Sequence, residues 1–532
     1  INSEVINGIL PRGRNLPYVD EDGDFWFSNR DIHGVWRYFP RSNKWAEYNH
    51  TASSEVKVPD VMIRNILQDK QGIIWIATDH GGLVLYDKKT GTTLNIRHNH
   101  NDYYSILDDA TNCIFGDRDG TMWVGYYQSG LSYYNPSNFK FGLDRLDDMV
   151  NEDPAFMPNI TCVEHDGEGN IWLGTNGCGL VRIDGKTGEK RRYRHDDKNP
   201  NSLPSDVIVT LKAASDGNLW IGTFMGGLSI FDGKNFSNYI HSKRVPASVS
   251  CTSIWAFDES DDGVMWIGSL NSGMASYDPK TKIFKEYNRA QDGILSDYVS
   301  DLIYSKTNKC LYIASQKGIS VMSLVTNEQG VNYTVRELDS ESRYPLLHEH
   351  IHQLVEDSRG LLWVGTRTGL CVFDPLSNTS KAFKLHVDGT NDYVTAVAED
   401  EKHDIWCATS DGLVNIRVEN SIGSQEKYKY TLSKYSKDDG LENGVYNQRA
   451  IHTLPDGRVF VGRSFGLSVF DPKVLSLNQE PPQVTFTSLR LYGEEVHPQE
   501  VLFGARPLDT QLYLSSEGIS VPSKISMITV EF

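Results

Sequence analysis

The sequence lacks three features that would point to a membrane-embedded, nucleic-acid-binding or disulfide-bonded protein. No run of about eighteen consecutive apolar residues, the length that spans a bilayer as a helix, occurs among the 532 residues. Basic residues are also fewer than acidic ones: the chain has 52 Lys and Arg but 70 Asp and Glu, and its net charge is −18. Because nucleic acids and anionic membrane surfaces attract basic proteins, we expect no nucleic-acid partner for this region. The seven cysteines include no Cys-x-x-Cys pair and are odd in number, so they do not form a disulfide framework.

What the sequence has instead is one block that recurs ten times, as in DGEGNIWLGTNGCGL from Asp166 and DSRGLLWVGTRTGL from Asp357. Each copy carries one aromatic anchor residue, and successive anchors lie 43 to 54 residues apart. The anchors are Trp26, Trp75, Trp123, Trp172, Trp220, Trp266, Tyr312, Trp363, Trp406 and Phe460. A period of about forty to fifty residues with several short strands is typical of an all-β propeller with one blade per period.

Each block predicts antiparallel strands joined by tight turns. A run that alternates apolar and polar residues, such as NITCVEH, predicts an inner strand with one face packed against the next blade. In the Asp-x-x-Gly step that follows, Asp accepts backbone hydrogen bonds and Gly takes the positive φ of the turn. The aromatic anchor then opens the second strand, and we predict that Trp172, Trp220 and Trp363 fill the wedges between blades.

The W-[IV]-G-T-x-x-G-G-L block with its upstream Asp-x-x-Gly turn resembles the two-component regulator propeller repeat. The segment from Pro481 resembles the start of the immunoglobulin-like domain that follows such propellers in hybrid two-component sensors of gut Bacteroidetes. The resemblance implies a periplasmic sensor made of two seven-bladed propellers and a β-sandwich, followed by a membrane helix, a histidine kinase, a receiver and a DNA-binding module. It further implies an inner-membrane protein, a homodimer, and a response to glycan-derived oligosaccharides that controls polysaccharide-utilisation genes.

The ten blades do not make two rings of seven. Counted back from Pro481, the seven anchors from Trp172 to Phe460 complete one ring and leave three blades over. We therefore expect the last blades of an N-terminal propeller at 1–140, a seven-bladed propeller at 141–476 and the beginning of an immunoglobulin-like β-sandwich at 477–532. Four blades, or roughly two hundred residues, would then precede residue 1. The alternative is a single ten-bladed ring, since the step from Trp123 to Trp172 shows no break.

Two patterns suggest metal binding, and each has a structural explanation. His348, His350 and His352 alternate along the chain, which on a strand would place three imidazoles on one face. We interpret the segment as a connection with solvent-facing histidines, because no second ligand cluster lies near it. The calcium-like loops at Asp20 and Asp166 have glycine at the fourth position rather than the sixth, so we interpret them as hairpin turns. No nucleophile elbow, P-loop or HExxH motif occurs, and we predict no catalytic residue, metal or cofactor.

Ligand binding is better supported than catalysis. In a propeller, the turns between second and third strands and the connections into the next blade lie on one face, where rigid blades position the loop side chains. Aromatic rings stack on sugar faces, while amide and guanidinium groups bind hydroxyls and carboxylates. The candidate ligand-binding residues at such positions are Tyr126, Tyr127, Gln128, Phe224, Arg367, Tyr393, Asn447, Arg449 and Arg463. For the arginines, the alternative is a structural pairing with turn aspartates such as Asp411.

Besides a ligand-sensing region, two other functions remain open. One is a propeller polysaccharide lyase or glycosidase, which would need a catalytic pair on the ring. The other is a scaffold that binds proteins. The sandwich segment after Pro481 and the absence of a distinct acid-base pair in the sequence favour the sensor over the enzyme.

Overall fold

The computed structural model describes residues 15–29, 32–51, 56–59, 61–99, 105–118, 120–135, 140–144, 146–239, 251–327, 330–338, 350–385, 393–421, 427–441, 444–475, 487–502, 521 and 523–531. The chain forms two compact units, Ile1–Val474 and Leu475–Phe532. Nearly all described elements are β-strands, which confirms the all-β fold. None of the helices in this described part is long and apolar enough to cross a membrane.

The first three blades are antiparallel sheets in which successive strands pair. Blade A consists of β1 (Asn15–Val19), β2 (Phe25–Asn29), β3 (Ile32–Phe39) and β4 (Lys44–Tyr48). Blade B consists of β5 (Ile63–Gln68), β6 (Ile73–Thr78), β7 (Leu83–Asp87) and β8 (Thr93–Ile96), and blade C of β9 (Thr111–Gly116), β10 (Met122–Tyr126) and β11 (Leu131–Tyr134). The short strand β12 (Gly142–Asp144) and helix α1 (Asp147–Glu152) follow.

Seven further sheets, blades 1 to 7, come next along the chain. Blade 1 has β13 (Ile160–His165), β14 (Ile171–Thr175), β15 (Leu180–Ile183) and β16 (Lys190–Tyr193); blade 2 has β17 (Ile208–Ala213), β18 (Leu219–Thr223), β19 (Gly227–Phe231) and β20 (Phe236–Tyr239). Blade 3 has β21 (Ile254–Glu259), β22 (Met265–Ser269), β23 (Met274–Asp278) and β24 (Ile283–Tyr287), followed by α2 (Arg289–Asp292). Blade 4 has β25 (Val299–Ser305), β26 (Cys310–Ser315), β27 (Gly318–Asn327) and β28 (Gly330–Glu337).

The last three blades continue the same pattern. Blade 5 has β29 (Ile351–Glu356), β30 (Leu362–Thr366), β31 (Gly369–Asp374) and β32 (Thr379–Phe383). Blade 6 has β33 (Val394–Glu399), β34 (Ile405–Thr409), β35 (Gly412–Asn420) and β36 (Tyr428–Tyr435), followed by a 3-10 helix (Lys437–Asp439). Blade 7 has β37 (Tyr446–Thr453), β38 (Val459–Arg463) and β39 (Gly466–Phe470).

Blades 1 to 7 form a closed ring. Each inner strand contacts the inner strand of the next blade, and β37 of blade 7 contacts β13 of blade 1. Blade 7 obtains its fourth strand from the other end of the ring, because β12 pairs antiparallel with β39. The blade of Phe460 therefore adjoins the blade of Trp172, as a seven-bladed ring requires, and Trp26 does not close against Phe460. Where each predicted part begins and ends as an independent domain stays a prediction.

The anchor tryptophans lie between blades, as predicted. Trp172 and Trp220 are each 3% exposed and Trp363 is fully buried. Trp172 packs against blade 2, Trp220 against blade 3 and Trp363 against blade 6. The apolar core of this unit therefore consists of layers between neighbouring sheets, which fixes the blades relative to one another.

The turn aspartate of the repeat hydrogen-bonds both to the backbone of its own hairpin turn and to the indole of the anchor tryptophan. In blade 1, Oδ1 of Asp166 accepts the backbone N–H of Asn170 at 2.9 Å, and Oδ2 accepts the indole N–H of Trp172 at 2.7 Å. The same indole bond, at 2.7–3.0 Å, joins Trp26 to Asp20, Trp75 to Asp69, Trp123 to Asp117, Trp363 to Asp357 and Trp406 to Asp400. These contacts confirm the hairpin interpretation of the loops at Asp20 and Asp166.

The glycine after the anchor lets neighbouring blades approach closely. A Cβ added to Gly462 would lie 2.6 Å from the carbonyl oxygen of Ile160 in blade 1, which is closer than real Cβ atoms come to other atoms. The W-x-G pattern of the repeat is therefore a packing requirement at the contact between blades.

The unit at Leu475–Phe532 contains a small antiparallel sheet. Its order is β41 (Glu494–Glu495), β40 (Ser488–Leu491) and β42 (Ile528–Glu531), and its core contains Leu489, Leu491 and Val496. This sheet occupies the segment predicted to begin a β-sandwich.

Candidate ligand-binding cleft

A cleft of about 630 Å³ opens on the face of the ring where second-to-third-strand turns and blade connections meet. It lies between blades 5, 6 and 7, and its lining residues are His350, His352, Arg367, Thr368, Tyr393 and Gln448. Two of the candidate ligand-binding residues, Arg367 and Tyr393, therefore come together here. They are joined by two of the three histidines that the sequence analysis assigned to a connection.

β-Bulges at the starts of the inner strands help to shape this face. The strand register shifts between Ile351 and Gln353 in blade 5, so that His352 occupies the bulge. In blade 7 the shift is larger and lies between Tyr446 and Ile451. Because a bulge redirects side chains relative to the regular alternation, these shifts determine what reaches the cleft.

His352 is half-buried and held by an aromatic neighbour. Its ring meets that of Tyr393 edge to face, with centroids 5.1 Å apart, and the amide of Gln448 donates a hydrogen bond to the Tyr393 hydroxyl. Burial, reinforced by the neighbouring side chains of His350, Arg367 and Arg449, lowers the pKa of His352 to about 4, so the imidazole is neutral at neutral pH. Its Nε2 is buried and has no hydrogen-bond partner among the described residues.

Arg367 is the exposed cation of the cleft. It sits in the turn between β30 and β31, where its backbone N–H donates to the carbonyl of His350 at 3.2 Å. Within the described part of the chain, no ion pair or hydrogen bond engages its guanidinium group, so the alternative of pairing with a turn aspartate is not seen for this arginine. The five N–H donors of the group are available to an anionic or polyhydroxylated ligand.

Arg449, by contrast, is paired inside the ring. Its Nη1 lies 3.5 Å from Oδ1 of Asp301, and its guanidinium carbon lies 5.9 Å from the ring centroid of Trp255. Burial raises the pKa of Asp301 to about 6, although Arg449 opposes the shift. The same carboxylate accepts the backbone N–H of Leu354 at 2.8 Å and so also links blade 4 to blade 5.

Two other candidates have structural contacts. Arg463 is only 3% exposed, and its guanidinium lies over the ring of Tyr446 at 5.3 Å. The amide of Asn447 donates to Oδ1 of Asn159 at 2.8 Å and to the carbonyl of Ile160 at 2.5 Å, which joins blade 7 to blade 1. These arrangements fit roles in holding blades rather than direct contact with a ligand.

The remaining candidates lie outside the cleft. Phe224 is 40% exposed in the corresponding turn of blade 2. Tyr126, Tyr127 and Gln128 belong to blade C, where Tyr126 is buried and donates to Ser132 at 2.9 Å, while Tyr127 is 69% exposed. The ligand-binding role of these residues stays a prediction.

Of the two described histidines in this segment, one lies in a different environment from the predicted one. His350 is exposed, as predicted, but His352 lies on β29 and is half-buried, so the solvent-facing interpretation is wrong for it. His348 lies outside the described residues. Trp255 and Asp301 were not predicted from the sequence, because neither stands in a turn and a pairing across the ring leaves no local pattern.

Comparisons with known proteins agree with this architecture. The family model for the two component regulator propeller matches residues 57–80, 157–177, 202–225 and 345–368. The chain is similar to histidine kinase P4 of Formosa agariphila, with 24% identity over 222 residues that cover 32% of this chain and 15% of that protein.

Two solved structures from B. thetaiotaomicron resemble the chain in fold. The extracellular domain of the putative hybrid two component system BT3049 has a TM-score of 0.69 and 20% identity, and the match covers 90% of this chain and 58% of that domain. The corresponding domain of BT4673 has a TM-score of 0.52 and 18% identity, covering 92% and 63%. The chain thus spans less than two thirds of the length of each of these three proteins. It carries repeats of the two-component regulator propeller family and resembles the extracellular domains of hybrid two-component systems.

Proposed function

We propose that this region is the ligand-sensing part of a hybrid two-component sensor histidine kinase and that it binds an acidic oligosaccharide in the cleft at Arg367. The observation that carries the proposal is the exposed guanidinium of Arg367, which no described carboxylate neutralises in a chain of net charge −18. It lies in one cleft with Tyr393 and the amide of Gln448, so cationic, aromatic and amide groups are combined as a sugar acid requires.

The electrostatics of the cleft favour a carboxylate or sulfate over a neutral sugar. Arg367 supplies a permanent positive charge. The neutral imidazole of His352 can donate a hydrogen bond to a hydroxyl, or accept one from it, without adding charge. Arg449, which lies near His352, pairs with Asp301, so Arg367 is the cation of the cleft that no described carboxylate pairs with. The proposed ligand is therefore a uronate-containing or sulfated oligosaccharide.

The wider function follows from the resemblance to extracellular sensor domains. In the proposed setting the region lies in the periplasm, a membrane segment tethers it, and a homodimer passes the binding signal to the kinase. The signal would then control polysaccharide-utilisation genes. We propose no catalytic step for this region, since the described cleft offers imidazoles and a guanidinium but no pair of carboxylates.

Calorimetry with a panel of oligosaccharides tests the proposal. The panel contains neutral, uronate-containing and sulfated sugars of equal length, and the recovered ligand is analysed by mass spectrometry. We expect saturable binding of one acidic class and recovery of that ligand uncleaved. Absence of binding to every acidic sugar would contradict the ligand class, while cleavage or a new unsaturated end would identify a lyase or glycosidase instead.

A further inference from the structure

Three metal-ligating side chains meet where the ring closes, apart from the cleft. Glu164 and His165 lie at the end of β13 in blade 1, and His452 lies near the end of β37 in blade 7. Although 287 residues separate the two histidines, Nδ1 of His165 lies 2.7 Å from Nε2 of His452. Oε1 of Glu164 lies 3.7 Å from each of these nitrogens. Across the described residues, no other group of three His, Cys, Asp or Glu side chains is brought this close.

The distances fit a small divalent cation. Zinc binds imidazole nitrogen and carboxylate oxygen at about 2.0–2.2 Å, and tetrahedral geometry then places neighbouring ligand atoms roughly 3.3–3.5 Å apart. The observed separations of 2.7, 3.7 and 3.7 Å lie on both sides of that value. Small side-chain rotations would equalise them. The side chain of His165 is 32% exposed, which leaves a path for the ion and a position for a water ligand.

We propose that Glu164, His165 and His452 bind one Zn²⁺ ion that joins the first and last blades of the ring. The site has two imidazoles, one carboxylate and one open position, and it requires no contribution from the cleft. It is therefore independent of the proposed ligand-sensing function.

The surrounding charges are compatible with a cation. Lys212 is the nearby positive group, and its ammonium donates to Asp258 at 2.8 Å. Metal binding requires the carboxylate form of Glu164, which together with Lys212 and Asp258 carries one net negative charge. A bound divalent ion would change this to one net positive charge, so the magnitude of the local charge does not grow. A neutral imidazole offers one ring nitrogen with a lone pair, which is the form that binds a metal ion. Without an ion, the close nitrogens would instead form one N–H···N hydrogen bond.

The test uses protein treated with a chelator and then dialysed. Zn²⁺ is titrated by calorimetry, Co²⁺ is titrated by visible absorption, and thermal unfolding is followed with and without Zn²⁺. We expect one ion per chain, a tetrahedral-type Co²⁺ spectrum and a higher Tm with Zn²⁺, because an ion that binds only the folded state stabilises it.

Variants locate the site. Loss of a residue that hydrogen-bonds to a metal ligand typically reduces metal affinity about 10- to 100-fold. The ligand variants His452→Gln, Glu164→Gln and His165→Gln should therefore each weaken Zn²⁺ binding at least as much. His165 is the most exposed of the three ligands, so His165→Gln should fold even if His452→Gln does not. The site can then still be tested with the His165 variant. His195→Gln, which changes a histidine in the blade 1 to blade 2 connection, should bind as the parent does. Parent-like Zn²⁺ affinity in His165→Gln, or loss of binding in His352→Gln instead, would overturn the proposal.

Discussion

Arg449 reaches Asp301 from the opposite side of the ring, with Nη1 3.5 Å from Oδ1. The two residues belong to blades 7 and 4, and Arg449 adopts a left-handed backbone conformation with φ of +57°. A non-glycine residue in this region costs free energy, so the surrounding contacts must hold it there. The pair links distant blades, and Arg449 lies close enough to the cleft to help lower the pKa of His352.

The first prediction is that the folded state becomes less stable as the pH rises, because the buried carboxyl group of Asp301 must then ionise. Burial raises the pKa of its carboxyl group to about 6 in the folded chain, so folding takes up a proton between the unfolded pKa and that value. The stabilising effect is present below the unfolded pKa and is lost as the pH rises through about 6. Relative to Asp301→Asn, the wild type should therefore lose about 2 kcal/mol between pH 4 and pH 7.

Denaturant unfolding at several pH values measures this difference. Asp278→Asn is the control, because backbone N–H donation from Lys280 lowers the pKa of this carboxyl group, so its stabilising effect is lost as the pH falls and not as it rises. A stability difference between wild type and Asp301→Asn that stays constant from pH 4 to pH 7 would show that Asp301 ionises normally.

A second prediction concerns the incomplete repeat of blade 3. Trp266 is 3% exposed and its indole nitrogen has no hydrogen-bond partner among the described residues, since Ser260 stands where six other blades have aspartate. Ser260→Asp should supply the missing acceptor and raise the free energy of unfolding by about 0.5–1.5 kcal/mol. Ser260→Ala serves as the control in thermal unfolding. An unchanged or lower Tm in Ser260→Asp would mean that repulsion from Asp261 and Asp262 outweighs the new bond.

Much of the fold could be predicted from the sequence because its determinants are local and repeat. The spacing of the anchors, the turn aspartates and the W-x-G glycines recur within each blade, so each copy reinforces the same assignment. The cleft was only partly predictable. The turn position of Arg367 is visible in the repeat, whereas the pairing of Arg449 with Asp301 and of His165 with His452 depends on ring closure between residues far apart in sequence.

The third prediction tests the anchors. Trp220 fills the wedge between blades 2 and 3 and contacts Phe257 and Tyr277 edge to face, so Trp220→Ala should lower stability by about 3–5 kcal/mol. Phe465→Ala, at a side chain 67% exposed, should change stability by no more than about 0.5 kcal/mol. Both are measured by denaturant unfolding. Equal midpoints for the two variants would argue against the wedge role.

The fourth prediction separates structural from ligand-binding arginines. Because Arg463 is buried over Tyr446, Arg463→Ala should lower the free energy of unfolding by about 1–3 kcal/mol while leaving affinity for an acidic oligosaccharide unchanged. Thermal unfolding and calorimetry on the same preparation measure both quantities. If Arg463→Ala instead bound the acidic oligosaccharide more weakly and kept the stability of the parent, Arg463 would be a ligand-binding residue.

The central claim, that Arg367 receives an acidic ligand, is tested most directly by calorimetry on Arg367→Gln. Since a charge-assisted hydrogen bond contributes about 1.5–3 kcal/mol, the variant should bind the acidic oligosaccharide roughly ten- to a hundredfold more weakly than the parent. Its Tm should be unchanged because the side chain is exposed, and Arg191→Gln on the outer strand β16 should bind as the parent does. Parent-like affinity in Arg367→Gln would contradict the account and place the ligand elsewhere on the protein.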